Sequence, residues 1–301
     1  MTEKKSICPP YLKPGDCVGI AAPSRKISEA ELKPALEILR GWGLNVKTAS
    51  NVYASLNQFA GSDEQRAAGF QSLLNDPEVK AVFCARGGYG AIRVIDRIDL
   101  SHFIKQPKWI VGYSDATVFH SHIARHTGIE TLHAPMPVNF GKDAASLERL
   151  KQALFGTPLS YSLPAHPLNR AGTAAGSLAG GNLSLLYALA STPSDLHFAG
   201  KILFIEDLDE YLYHIDRMMM QLKRAGKLSE LKGLVVGGFT DMKDNMVPYG
   251  KTAEDIIAEA VKDYGYPVCF GFPAGHGSQN YPLFMGRNME LKVSPKGAML
   301  Q

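Results

Sequence analysis

Ser114, Glu206 and His276 lie far apart in the chain, each at the edge of a turn, and their types could do nucleophilic chemistry together. Ser114 falls in Lys108-Trp-Ile-Val-Gly-Tyr-Ser-Asp115. Trp109, Ile110 and Val111 read as the end of a buried strand, Gly112 breaks it, and a helix is expected over 116–126. A strand that turns through Gly-Tyr-Ser-Asp into a helix resembles a nucleophile elbow. Such a turn lifts the serine hydroxyl clear of the sheet and offers the next backbone N–H to an oxyanion. Position 116 is Ala where the Gly-x-Ser-x-Gly pattern has its second glycine. A serine opening a helix also serves simply as its N-cap.

A serine nucleophile needs a base and a carboxylate to orient it. His276 stands in Phe272-Pro-Ala-Gly-His-Gly-Ser278, where Gly275 and Gly277 leave its ring free to project. Glu206-Asp207 follows an expected strand at 202–205, so only one of the two can face a site. The same pair would also make a solvated acidic turn. Ser, then Glu, then His is the chain order of α/β-hydrolase triads. His122 and His126 share a helix face but lack the Glu of His-Glu-x-x-His, so helix packing is expected rather than a metal. His133 could line a site or only pack, and His214 pairs most simply with Glu210. The Arg86-Gly-Gly-Tyr-Gly90 cluster lacks the Gly-Lys-Ser/Thr ending of a P-loop. Placed at a strand end, its Gly-Gly can instead present an N–H to an oxyanion. Met218 to Met220 read as core or interface packing.

Strands expected near 16–22, 44–49, 79–85, 109–111 and 130–133 alternate with helices at 28–40, 63–74, 91–98 and 116–126. That alternation predicts an α/β fold: a parallel sheet with helices on both faces, its sites at the carboxyl ends of the strands. Ser24, Gly87-Gly88 and Ser114 fall at such ends. A stretch rich in Pro, Gly, Ser and Ala at 156–175 is the expected linker. It divides an N-terminal domain, 1–164, from a smaller mixed α/β domain, 165–301, that carries Glu206 and His276.

The 301 residues are 45% hydrophobic and 20% charged, with a net charge of +3 and no basic run, which argues against a nucleic-acid partner. Cys8, Cys17, Cys84 and Cys269 show no metal or disulfide spacing. No segment reads as a signal sequence or a membrane span, so a cytoplasmic protein with no membrane partner is expected.

Six motifs together resemble the LD-carboxypeptidases of serine peptidase family S66, which include murein tetrapeptide carboxypeptidases and microcin C self-immunity peptidases. They are Gly19-Ile-Ala-Ala-Pro-Ser24, Ala85-Arg-Gly-Gly-Tyr-Gly90, Val111-Gly-Tyr-Ser-Asp115, Gly180-Gly-Asn182, Phe204-Ile-Glu-Asp207 and Ala274-Gly-His-Gly277. The resemblance implies a Rossmann-like (flavodoxin-like) N-terminal domain, a β-rich C-terminal domain, a homodimer, and neither metal nor cofactor. By position it makes Ser114 the nucleophile, His276 the base and Glu206 its orienting partner, with the N–H groups of Gly88 and Asp115 as oxyanion hole. Asn182 and Arg86 are expected to bind substrate. Arg86 would take the terminal carboxylate that a carboxypeptidase must recognise, or else form a structural ion pair. The microcin branch is expected to need a Trp lid in the C-terminal half, whereas this chain has only Trp42 and Trp109. The expected reaction is release of terminal D-Ala from murein tetrapeptide. A peptidyl-nucleotide substrate and a non-catalytic small-molecule binder are the alternatives. An amidotransferase-like hydrolase fits less well, since its elbow usually carries a Cys.

Overall fold

Short apolar strands and capped helices alternate through the first half of the chain, and a computed structural model describes residues 6–301. The elements are β1 (Cys17–Ala21), α1 (Glu29–Gly41), β2 (Asn45–Thr48), α2 (Asp63–Asn75), β3 (Val79–Cys84), α3 (Ala91–Val94), α4 (Ser101–Lys105), β4 (Trp109–Gly112), α5 (Thr117–His126), β5 (Thr131–His133) and α6 (Ala144–Leu154). Ser28 and Glu31 form a reciprocal capping box that starts α1, and Ser62 with Gln65 does the same for α2. Except for the edge strand β2, these strands are buried on both faces. Val82 and Ile110 face a core built with Phe70 and Phe119 of α2 and α5. Phe83 and Trp109 face another built with Leu39 and Leu150 of α1 and α6. This two-sided burial explains why the strands read as unbroken apolar runs.

Beyond α6 come β6 (Tyr161–Pro164), β7 (Gly172–Asn182), α7 (Leu183–Ala188), β8 (Ile202–Leu208), α8 (Leu212–Arg224), β9 (Gly233–Thr240), α9 (Ala253–Ala260), β10 (Val268–Cys269), β11 (Leu283–Met285), β12 (Asn288–Ser294) and β13 (Gly297–Leu300). Among the described residues there are two sheets. The first runs β11-β5-β4-β3-β1-β2 and is parallel except for β11, which is antiparallel to β5. The second runs β10-β9-β8-β7-β12-β13-β6, parallel from β10 to β7 and antiparallel from β7 onward. Helices α7, α8 and α9 cover one face of its parallel half.

Three features differ from the sequence expectation. The stretch expected as a linker, 156–175, contains β6 and the start of β7, both paired in the second sheet. The eleven residues of β7 are mostly Gly, Ala and Ser, with none of the β-branched runs that signal a strand. From the second half of the chain, β11 crosses back to pair with β5, so the first sheet is completed by a late segment. The helix expected over 91–98 also divides, with a 3₁₀ turn at Ile95–Arg97. No helix among the described residues is long and apolar enough to cross a membrane.

Candidate active site

Strand β4 is fully buried, and the chain leaves it through Gly112 and an extended Tyr113 into a 3₁₀ turn at Ser114–Ala116. Ser114 has φ +59°, the left-handed region that costs a non-glycine residue on the order of 1 kcal/mol. No side-chain cap hydrogen bond is made at this turn, so the serine is not an N-cap. Ala at 116 fits because Gly112 lies opposite it. A Cβ on Gly112 would come within 2.8 Å of the Ala116 Cβ. Gly87 approaches the elbow just as closely, and a Cβ there would stand 2.9 Å from Ser114 Oγ. Its neighbour Gly88 has φ +104°, which favours glycine. The Gly-Gly loop after β3 is thus pressed against the serine, as an oxyanion-binding loop would be.

The Asp115 carboxylate ties the loops together. Its Oδ2 accepts hydrogen bonds from Ser24 Oγ (2.5 Å) and from the Ala91 N–H (2.8 Å). Three strand ends, those of β1, β3 and β4, therefore converge on one buried acid. Burial raises its pKa, against the hydrogen bonds of Ser24 and Ala91 and the charge of Arg66. Arg66 is itself fully buried and donates to the carbonyls of Pro23 (2.5 Å) and Gly90 (3.0 Å), clamping the same two loops.

Glu206 and His276 arrive from the second sheet. Glu206 lies on β8 with no exposed surface, and its Oε2 is 2.7 Å from His276 Nδ1. Against the carboxylate, Nδ1 donates its proton and Nε2 is left as the acceptor. Gly275 has φ +115°, and a Cβ there would stand 2.8 Å from Glu206 Oε2. The Tyr113 ring packs against the imidazole, centroids 4.9 Å apart. Burial by itself would depress the His276 pKa. The hydrogen bond and charge of Glu206, with Asp207 adding, outweigh it and leave the pKa raised. Ser114 and His276 line one cleft of about 230 Å³ together with Gly87 and Gly88.

Asp207 points to the other side of β8. It accepts hydrogen bonds from Asn182 Nδ2 (2.9 Å) and from the Ser184 N–H (2.8 Å). Burial and the neighbouring Glu206 charge push its pKa up to about 7. Neither acid forms a solvated turn, since β8 runs on through Leu208 and buries both.

Ser114 and His276 thus share a cleft, with the buried Glu206 holding the histidine from behind, and comparison with known proteins gives that cleft a family. Residues 18–134 match the model of the LD-carboxypeptidase N-terminal domain, and residues 175–291 that of the C-terminal domain. The chain belongs to the LD-carboxypeptidase family. It is 37% identical to a probable murein peptide carboxypeptidase of Bacillus subtilis, over 97% of this chain and 94% of the other. The solved structure of muramoyltetrapeptide carboxypeptidase from Oxalobacter formigenes superposes with a TM-score of 0.86 at 28% identity, covering 94% of this chain and 97% of that one. Microcin C7 self-immunity protein MccF, solved in complex with aspartyl sulfamoyl adenosine, shares the fold at 20% identity, with a TM-score of 0.86 and 97% of each chain covered.

Two residues expected to bind substrate in this LD-carboxypeptidase family member are held within the protein. Asn182 is buried, caps α7 through Oδ1 and donates to Asp207, and it does not line the cleft. Arg86 does line the cleft, but its Nη1 donates to the Lys26 carbonyl and to Glu31 Oε1, both at 3.1 Å. His133 packs rather than lines. Its Nε2 is 3.2 Å from Asn280 Oδ1, which also accepts the Gly275 N–H at 3.0 Å and so steadies the His276 loop. His122 and His126 pack against each other with tilted rings and bond Ser194 and the Pro193 carbonyl, and His214 pairs with Glu210. Met218 and Met219 are core. Arg25, Lys142 and Asn280 were not singled out from the sequence. Arg25 could have been, because it follows Ser24 at the carboxyl end of β1. Lys142 and Asn280 stand in irregular loops that carry no such mark.

Proposed function

We propose that the chain is a serine LD-carboxypeptidase that releases terminal D-Ala from murein tetrapeptide in cytoplasmic peptidoglycan recycling, acting as a homodimer without metal or cofactor. The supporting observation is the 2.7 Å contact of Glu206 with His276 beside a strained elbow serine in one cleft. His276 Nε2 takes the Ser114 proton as Oγ attacks the scissile carbonyl, and Glu206 stabilises the imidazolium that forms. The N–H groups of Gly88 and Asp115 receive the oxyanion. His276 passes its proton to the departing amine, then activates the water that frees the acyl group. In this reading residues 1–164 form a lobe that carries the nucleophile, and the β2-β1-β3-β4-β5 order supports a Rossmann-like (flavodoxin-like) architecture for it. Residues 165–301 supply Glu206 and His276.

Mass spectrometry of muropeptides incubated with wild type and with Ser114→Ala tests the reading. The expected result is loss of one alanine from the tetrapeptide with wild type alone. Intact tetrapeptide alongside a cleaved peptidyl-nucleotide would move the substrate to the microcin type. Binding without turnover of either would make the protein a small-molecule binder.

A further inference from the structure

The cleft beside Ser114 carries unbalanced positive charge. Arg25, Arg86 and Lys142 line it, and no carboxylate does. Arg86 is already engaged by Glu31 and the Lys26 carbonyl. Among the described residues, the Arg25 guanidinium and the Lys142 ammonium have no hydrogen-bond or ion-pair partner. Arg25 lays its stem over Gly88, where an added Cβ would collide with it. Lys142 also lines a second cavity, of about 40 Å³, that adjoins the cleft. The two cavities share Tyr113, Asn139 and Lys142, and the small one is bounded by Gly275 and Gly277, which flank His276. Its one carboxylate, Asp143, is occupied as the cap of α6, accepting from the Ser146 N–H (2.8 Å) and Oγ (2.5 Å).

His276 must hand its proton to the leaving amine, so the departing residue lies on the histidine's side of Ser114. That side holds the small cavity. We infer that this cavity is the subsite for the departing C-terminal residue, and that Lys142 binds that residue's free carboxylate. The inference rests on the carboxypeptidase reading above. An ammonium without a protein partner is wholly available to a substrate anion, whereas Arg86 already has its Nη1 engaged by Glu31 and the Lys26 carbonyl. Arg25, whose stem lies over Gly88, is left to face an acidic group of the acyl portion.

The test compares a tetrapeptide ending in D-Ala with its C-terminal amide, using wild type, Lys142→Gln, Lys142→Arg and Arg25→Gln. Wild type is expected to prefer the free acid by about 30-fold in kcat/KM, the scale of one charge-assisted hydrogen bond. In Lys142→Gln that preference falls to within about 3-fold because the acid reacts more slowly, and Lys142→Arg restores part of it. Arg25→Gln weakens both peptides and keeps the ratio. An undiminished acid preference in Lys142→Gln would overturn the subsite while leaving the carboxypeptidase reading intact. If wild type releases alanine from neither peptide, the underlying reading fails instead.

Discussion

Glu206 presents no surface to water, yet it faces an imidazole whose pKa it holds above the ordinary value against the pull of burial. In the proposed mechanism its charge therefore sets the pH at which His276 is free to act as a base. In Glu206→Gln the carbonyl still reaches Nδ1, but the charge that stabilises the imidazolium is gone. Turnover is expected to fall by about 10³-fold or more, as in other triads that lose the acid's charge. The sign of the accompanying pH effect follows from the same contact. Removing the group that raises the pKa lowers it, so the acid limb of the kcat/KM profile moves to lower pH. A limb that stays in place while the rate drops would show that Glu206 is not what tunes the histidine. At this scale Ser114, Glu206 and His276 were legible because glycines and strand ends frame them. Lys142 was not, because an exposed lysine in a loop looks the same whether it meets solvent or a substrate. Asn182 misled for the opposite reason, since its polar side chain is spent on capping α7 and on Asp207.

Among the elements, the joint that matters is where β1, β3 and β4 end together. The Asp115 carboxylate receives Ser24 and Ala91 at one oxygen, while Oδ1 has no partner. Asp115→Asn keeps an oxygen for both donors and removes a buried charge. Asp115→Ala strands both donors in the interior, at a cost of about 1–3 kcal/mol in stability. With the Gly87-Gly88 loop no longer tethered, turnover should fall by about 10²-fold, the scale of one lost oxyanion donor. Asn is expected to hold turnover within about 10-fold of wild type. Urea denaturation and peptide kinetics on the two variants check this, and equal losses in both would mean the charge matters rather than the tether. The helix starts here were readable from capping boxes such as Ser28 with Glu31, because that pairing is local in sequence. Strand β7 was not readable, because its partners β8 and β12 lie well downstream and its own composition is that of a loop. Pairing stabilises that strand where propensity does not.

At the scale of the whole molecule, several buried titratable groups couple folding to pH in opposite directions. His120 bridges β4 and the start of β5, with Nε2 2.8 Å from the Gly112 carbonyl and Nδ1 2.8 Å from Thr131 Oγ1. The carbonyl fixes Nε2 as the protonated nitrogen, so the folded protein holds a neutral ring. Complete burial lowers its pKa to about 4, from an ordinary value of 6.5. Between those values the unfolded chain binds the proton that the native state refuses, so the stabilisation is whole above the unfolded pKa and drains away as pH falls through the window. Burial shifts His133 the same way. Asp207, raised to about 7, acts in reverse, favouring the fold in acid and losing that contribution as pH rises through its folded pKa. A pH–stability curve of wild type alone would mix these contributions, but one substitution measured at two pH values separates them. His120→Gln removes the buried titration and weakens the bridge, so at pH 8 it should destabilise by about 2–4 kcal/mol. At pH 5, 1.5 units below the unfolded value, wild type has itself lost about 2 kcal/mol through His120. The gap between the two proteins in urea denaturation should therefore narrow by about 2 kcal/mol between pH 8 and pH 5. An unchanged gap would mean that His120 takes up its proton as readily in the fold as in the open chain, and that β4 and β5 are not joined through a neutral ring.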